Sequence, residues 1–202
     1  MTIRVATRSS PLARWQTDHV IELLRAIEPQ LDVEVVGLET SADQRLDLTI
    51  SELGGKGAFC KQVQAELLVG RADIAVHSAK DLPAALRAEL DLVAFPERAD
   101  PRDALVARER GAQLDDLPRG ARLGTGSVRR SAQLLRHRPD LEVVPLRGNV
   151  PTRLSKLERE ALDAVVLACS GLERLSLAER IDERVDPGAL LPAVAQGALA
   201  IE

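Results

Sequence analysis

The sequence predicts an α/β fold of two lobes around a cleft, built on mainly parallel sheets. Two observations predict it. Short apolar runs, among them Ile74-Ala75-Val76 and Ala164 to Ala168, alternate with stretches of helical spacing along the whole chain. Several of these runs empty into a short polar loop that opens a helix, the succession expected of strand, loop and helix units. A charged, proline-broken crossing, Glu97-Arg98-Ala99-Asp100-Pro101-Arg102-Asp103, divides the units into two sets. It places the expected domains at 1–97 and 98–195, with 196–202 returning to the first.

The first strand is read at Ile3 to Thr7. Ser10 suits the N-cap of the following helix and Pro11 its first position. Leu12, Trp15, His19, Val20, Leu23, Leu24 and Ile27 then recur at helical spacing, so Trp15 and His19 are expected to pack in the core. Val33 to Thr40 reads as the second strand, and a polar loop runs on to Gly54-Gly55-Lys56-Gly57. That glycine turn lacks the GxxxxGK[ST] spacing of a phosphate loop, and alone it is more often a turn than a site. A helix through Phe59, Val63 and Leu67 follows, with Gly70 placed to close it. Ile74 to Val76 and Leu90 to Phe95 are the next strands, then Ala104 to Ala107 beyond the crossing. Arg122 to Gly124 leads through Thr125-Gly126-Ser127 into a helix from Val128 to Arg138, and Leu141 to Pro145 leads through Leu146-Arg147-Gly148-Asn149 into a helix from Val150. Ala164 to Ala168 is a further buried strand, and the chain returns to a last strand at Ala198 to Ile201.

With 202 residues, 45% hydrophobic, the chain is long enough to bury a substantial core. No apolar run approaches the roughly 18 residues of a spanning helix, and the N-terminus reads as a strand and not as a signal peptide, so no membrane association and a cytoplasmic location are expected. Cys60 and Cys169 are isolated, which indicates neither a metal site nor a disulfide framework. A net charge of −4 with 1% aromatic residues argues against a nucleic-acid partner. Arginine nevertheless far outnumbers lysine, and its forked guanidinium holds carboxylates and phosphates, so a small anionic ligand is expected.

The densest chemistry lies in Asp73 to Pro83. A buried strand delivers His77, Ser78, Lys80 and Asp81 to its C-terminal end, where ligands sit in open α/β sheets. Lys80 and Asp81 alone would also suit an ordinary solvated turn. Arg8, Arg129, Arg130, Arg147 and Arg153 tip the balance, because all stand at strand-to-helix junctions. Arg129, Arg130 and Arg153 occupy first helical turns, against the positive end of the helix dipole, which suits an anion docking on them. No buried pair is expected at Arg129 or Arg147, so their loss should leave stability unchanged.

The ordered segments Ala6-Thr7-Arg8-Ser9-Ser10-Pro11-Leu12-Ala13, Gly54 to Gly57, Ala72 to Pro83 with its His77-Ser78-Ala79-Lys80-Asp81, Gly124-Thr125-Gly126-Ser127-Val128-Arg129-Arg130, Leu146 to Val150 and Leu191 to Ala198 resemble porphobilinogen deaminase, the hydroxymethylbilane synthase family, over essentially the whole chain. The resemblance implies lobes like periplasmic binding proteins and a third small α+β domain. It implies a transferase of porphyrin and heme biosynthesis that joins four porphobilinogen units head to tail, releases ammonia and extends a dipyrromethane primer held on a cysteine, without a metal. Carried over by motif, Asp81 is the catalytic carboxylate. Asp43, Ser78, Lys80, Thr125, Ser127, Arg129, Arg130, Arg147 and Gly148 would hold the cofactor, and Arg8, Ser10, Lys56, Phe59, Arg153 and Gln196 the substrate. A monomer is expected.

Ala42 stands where the family's TxGD turn usually has Gly, and Glu52 where several members carry Lys. Neither cysteine lies in the context of the cofactor-bearing one, which the resemblance puts beyond residue 202. The sequence is therefore expected to hold the first two domains and to lack turnover alone. The alternative reading is a two-lobed module that binds a small polycarboxylate without converting it.

Overall fold

The computed structural model describes residues 2–38 and 60–202. The chain divides into two compact units, Met1–Arg98 with Ala198–Glu202, and Ala99–Gly197.

In the first unit, strand β1 (Thr2–Arg8) enters helix α1 (Pro11–Ile27), and strand β2 (Asp32–Leu38) follows. Helix α2 (Lys61–Leu68) leads to strand β3 (Ile74–Ser78), and strand β9 (Leu199–Ile201) completes the sheet. The order is β2-β1-β3-β9, with β1 parallel to both neighbours and β9 antiparallel to β3. Ser10 caps α1, its side chain accepting from the Ala13 N–H, with Pro11 in the first turn. Gly70, at φ 69°, lies just beyond α2 and donates to the Leu67 carbonyl, an end that favours glycine.

Two expectations fail here. The buried face of α1 is Gln16, Thr17, Val20 and Ile21, while Trp15, Leu23 and Ile27 are exposed. Hydropathy selects a stripe rotated by about one residue, because the buried face carries a polar pair: Gln16 Nε2 donates to Ser78 Oγ at 2.9 Å. Trp15 stacks instead on His19, with ring centroids 5.1 Å apart. Leu90 to Phe95 forms no strand. Only Ala94 bridges Ile201, through Val93 N–H to Ile201 O at 2.8 Å and Ile201 N–H to Ala94 O at 2.9 Å, and Val93 and Phe95 face outward.

The second unit holds strands β4 (Asp103–Ala107), β5 (Arg122–Gly124), β6 (Glu142–Val144), β7 (Ala164–Ala168) and β8 (Glu183–Arg184) in the order β6-β5-β7-β4-β8. Both sheets are therefore mixed: β5 is parallel to β6 and β7, and β4 is antiparallel to β7 and β8. Helices α3 (Val128–His137), α4 (Val150–Arg159) and α5 (Cys169–Arg174) cover the sheet. The side chains of β4 and β7 alternate between two cores. Leu105 and Val166 join Leu123 and Leu134 in one, and Ala104, Val106, Val165 and Leu167 join Leu157 and Leu162 in the other. A sheet covered on both faces needs apolar residues at successive positions, which is why these strands read as continuous apolar runs.

Gly197, at φ 87°, ends this unit, and a Cβ there would stand 2.3 Å from the Ala99 carbonyl oxygen. Gly197→Ala is expected to lower stability by about 2 kcal/mol or more, from positive φ and the backbone clash together. A urea midpoint equal to the parent's would contradict this.

Candidate functional site

At the carboxyl end of β3 the chain makes one tight turn, Ala79–Asp81, and leaves the sheet at Leu82. Ala79 N–H donates to the Ala198 carbonyl at 3.1 Å, so the turn is anchored to the residue before β9. Arg8, Gln16, Cys60, His77, Ser78 and Asp81 line a recess there with about 20 Å³ of enclosed room. That exceeds the roughly 10–15 Å³ a water molecule needs. Ser78 Oγ is tied to Gln16, and Asp81 is half-buried. Among the described residues, no side-chain hydrogen bond holds the Asp81 carboxylate.

Behind the turn, His77 Nε2 lies 3.0 Å from Glu202 Oε2, and Gln64 Nε2 donates to Glu202 Oε1 at 2.8 Å. Burial pushes the Glu202 carboxyl up, but the hydrogen bonds from His77 and Gln64 outweigh it and hold the group below its ordinary value. This cluster joins β3 to the end of the chain and fixes the backbone from which Ser78 and Asp81 project. Gln16 and Gln64 were not legible as site residues, since a glutamine on a helix reads as surface.

In the second unit the predicted residues gather on two neighbouring loops. Thr125 Oγ1 accepts from the Ser127 N–H at 3.2 Å, and Ser127 caps α3 through the Arg130 N–H. Leu146 N–H donates to the Thr125 carbonyl, and a Cβ on Gly126 would stand 2.5 Å from the Leu146 oxygen, so only glycine permits this approach. Gly148, at φ 117°, presents its carbonyl to Arg153 Nε at 2.7 Å, and Asn149 caps α4 through the Thr152 N–H. Next to Gly148, the Arg147 Nη1 atom is buried and has no hydrogen-bond partner among the described residues. A charged donor left in that state is costly unless an anion meets it.

Arg129 and Arg130 have a different setting from the one expected. Both reach Asp103, the first residue of β4, whose carboxylate is fully buried. Arg130 donates to Asp103 Oδ1 through Nε at 3.1 Å and Nη2 at 2.6 Å, Arg129 Nη2 to Oδ2 at 2.7 Å, and Gln196 Nε2 to Oδ1 at 2.8 Å. Burial pushes the Asp103 carboxyl up, but the Arg130 charge and the hydrogen bonds of Arg130, Gln196 and Arg129 prevail, and its pKa is lowered. The expectation that no buried pair involves Arg129 is thus overturned. One internal carboxylate thus bridges the two cations at the helix start. The available signal was an aspartate heading the otherwise apolar strand Asp103-Ala104-Leu105-Val106-Ala107. Arg174, also missed, is buried and donates to the Gly197 carbonyl at 2.7 Å.

Arg8, Ser10, Ser78, Lys80 and Asp81 thus lie in the first unit, and Thr125, Ser127, Arg129, Arg130, Arg147, Gly148, Arg153 and Gln196 in the second. Asp43, Lys56 and Phe59, with Ala42 and Glu52, lie outside the described residues.

Residues 3–202 match the family model described as porphobilinogen deaminase, dipyromethane cofactor binding domain. The chain belongs to the porphobilinogen deaminase family. Porphobilinogen deaminase of Xanthomonas euvesicatoria pv. vesicatoria is 53% identical over 201 residues, and that of Stenotrophomonas maltophilia 52%. Each alignment takes in all of this chain and 66% of the relative, so the chain spans just under two thirds of the length of these family members. In fold, the chain resembles the VFT2 domain of Bordetella pertussis BvgS, in a double-mutant form (TM-score 0.53, 20% identity, 99% of this chain and 79% of that one). It also resembles a periplasmic sulfonate-binding protein SsuA of Methylobacillus flagellatus (TM-score 0.52, 16% identity, 100% and 62%). The α/β architecture is thus of the periplasmic-binding-protein kind.

Among the described residues no group of His, Cys, Asp and Glu is arranged to hold a metal, and no helix is long and apolar enough to cross a membrane. The donor set fits the family's dipyrromethane, a polycarboxylate: arginines, hydroxyls and an orphaned guanidinium nitrogen are what carboxylates require. Neither cysteine is suited to carry it. Burial pushes the Cys60 thiol up to about 12, with the Asp81 and Glu202 charges adding to the shift, and its Sγ donates to the Asp81 carbonyl. Burial also pushes Cys169 up to about 12. Since both thiols stay protonated as pH rises toward that value, iodoacetamide at pH 8 is expected to leave them unmodified in the folded chain and to label both after unfolding. Rapid labelling of the folded protein would contradict this.

Proposed function

We propose that this chain forms the catalytic and cofactor-holding part of a hydroxymethylbilane synthase, in the cytoplasm, joining four porphobilinogen units head to tail with release of ammonia. The match to the family model across residues 3–202 carries the reading. The geometry supports particular roles. Asp81, half-shielded beyond β3, offers a carboxylate to the positive charge that develops on a pyrrole as ammonia departs, and to the proton on the ring nitrogen. Ser78 and Lys80 flank it, and Arg8 stands on the rim of the same recess. Thr125, Ser127, Arg129, Arg147, Gly148 and Arg153 hold acetate and propionate groups through fork-shaped and hydroxyl donors, with the Arg147 Nη1 atom as the donor that most needs an acceptor.

The dipyrromethane, when bound, supplies the covalently held pyrrole end to which units are joined. This chain's own residues orient the carboxylates and shield the reacting ring from water. The direct test is to incubate porphobilinogen with the polypeptide as its natural host makes it and to measure ammonia and linear tetrapyrrole together. Both should appear in proportion. Binding of porphobilinogen without either product would leave a binding protein.

A further inference from the structure

We propose that Asp103 is a positioning residue, which divides the adjacent arginines between two tasks: Arg130 is held inside the fold, and Arg129 is oriented as the ligand-facing cation. The inference rests on the reading of Arg129 as a carboxylate ligand. Asp103 is 0% exposed and engaged on both oxygens. Arg130, at 5% exposure, gives Nε and Nη2 to Asp103 Oδ1 and Nη1 to the Val166 carbonyl at 3.0 Å, so its fork points into the protein. Arg129 is a quarter exposed at its side chain and is held at two points, by Asp103 through Nη2 and by the Leu191 carbonyl through Nη1.

Charge decides the rest. Two guanidinium groups face one carboxylate, so the cluster keeps a net charge of +1 at its exposed side. Arg129 has five N–H donors, of which these two contacts use two. A guanidinium fixed at two corners gives up little rotamer freedom when an anion takes the remaining donors, which is how preorganisation raises affinity. Gln196, on the same carboxylate and on the Pro101 carbonyl at 2.7 Å, ties the segment ending at Gly197 to this cluster.

The test needs two readouts. With arginine 15N labels in this chain, the Arg129 guanidinium should show slowed Cζ–Nε rotation and a cross-hydrogen-bond coupling to the Asp103 carboxyl carbon. The second signal needs no variant, so it decides the matter even where Asp103→Asn fails to fold. In Asp103→Asn the restriction should ease, since the charged partner is gone and the Leu191 carbonyl remains. In the polypeptide as its natural host makes it, that variant should raise KM for porphobilinogen roughly tenfold or more, with a smaller change in kcat, and the added KM effect should disappear in an Arg129→Ala background. A freely rotating Arg129 in the parent, or equal KM effects of Asp103→Asn with and without Arg129, would overturn the proposal. If the parent enzyme consumes no porphobilinogen, the functional reading fails, and the guanidinium signals alone still decide the positioning.

Discussion

Asp81→Asn, made in the polypeptide as its natural host produces it, is expected to lower porphobilinogen turnover by roughly 10²–10⁴-fold, the range typical of a lost acid–base or charge-stabilising group. The melting temperature should scarcely move. The carboxylate lies at the end of a tight turn, half-buried, and no described side chain relies on it. The turn is held by backbone, through Ala79 N–H to Ala198 O and Leu82 N–H to Ala79 O, and asparagine keeps both bonds. Turnover within a few-fold of the parent would remove Asp81 from the chemistry.

The second large effect separates two arginines that the sequence treats alike. Arg130→Ala strips the buried Asp103 carboxylate of its main partner and should destabilise the protein by about 3–5 kcal/mol, as removal of one member of a buried pair does. Arg147→Ala should behave in the opposite way. Its Nη1 atom has no partner to lose, so stability should hold or rise slightly, while affinity for a polycarboxylate falls by about tenfold or more. Denaturant midpoints for both variants, with calorimetric titration of Arg147→Ala, check the pair of statements. Equal destabilisation by the two substitutions would contradict the assignment of Arg130 to the fold and Arg147 to the ligand.

That contrast also shows what the sequence could reveal. Strand ends, helix starts and caps were legible because each depends on local chemistry: Ser10 and Pro11 open α1, Gly70 closes α2, and Ile74-Ala75-Val76 reads as a buried strand ending at polar residues. Whether a first-turn arginine faces a ligand or a buried carboxylate depends on Asp103, some twenty-seven residues earlier, and no local pattern encodes that distance. The same holds for α1. Gln16 and Thr17 lie on its buried face because Ser78 lies opposite Gln16, so a stripe chosen by hydropathy misplaces Trp15 and Ile27. Leu90 to Phe95 has the composition of a strand, yet it meets β9 only at Ala94, where two backbone bonds suffice.

The proposed function requires this chain to build a site for a covalently held polycarboxylate primer that neither Cys60 nor Cys169 carries. Intact-mass and peptide mass spectrometry of the polypeptide from its natural host measures this most directly. The predicted result is a dipyrromethane adduct that is absent from the peptides bearing Cys60 and Cys169 and is lost in the doubly substituted Arg129→Ala, Arg147→Ala protein. An adduct on the peptide bearing Cys60 or Cys169, or an active enzyme with no adduct, would contradict it.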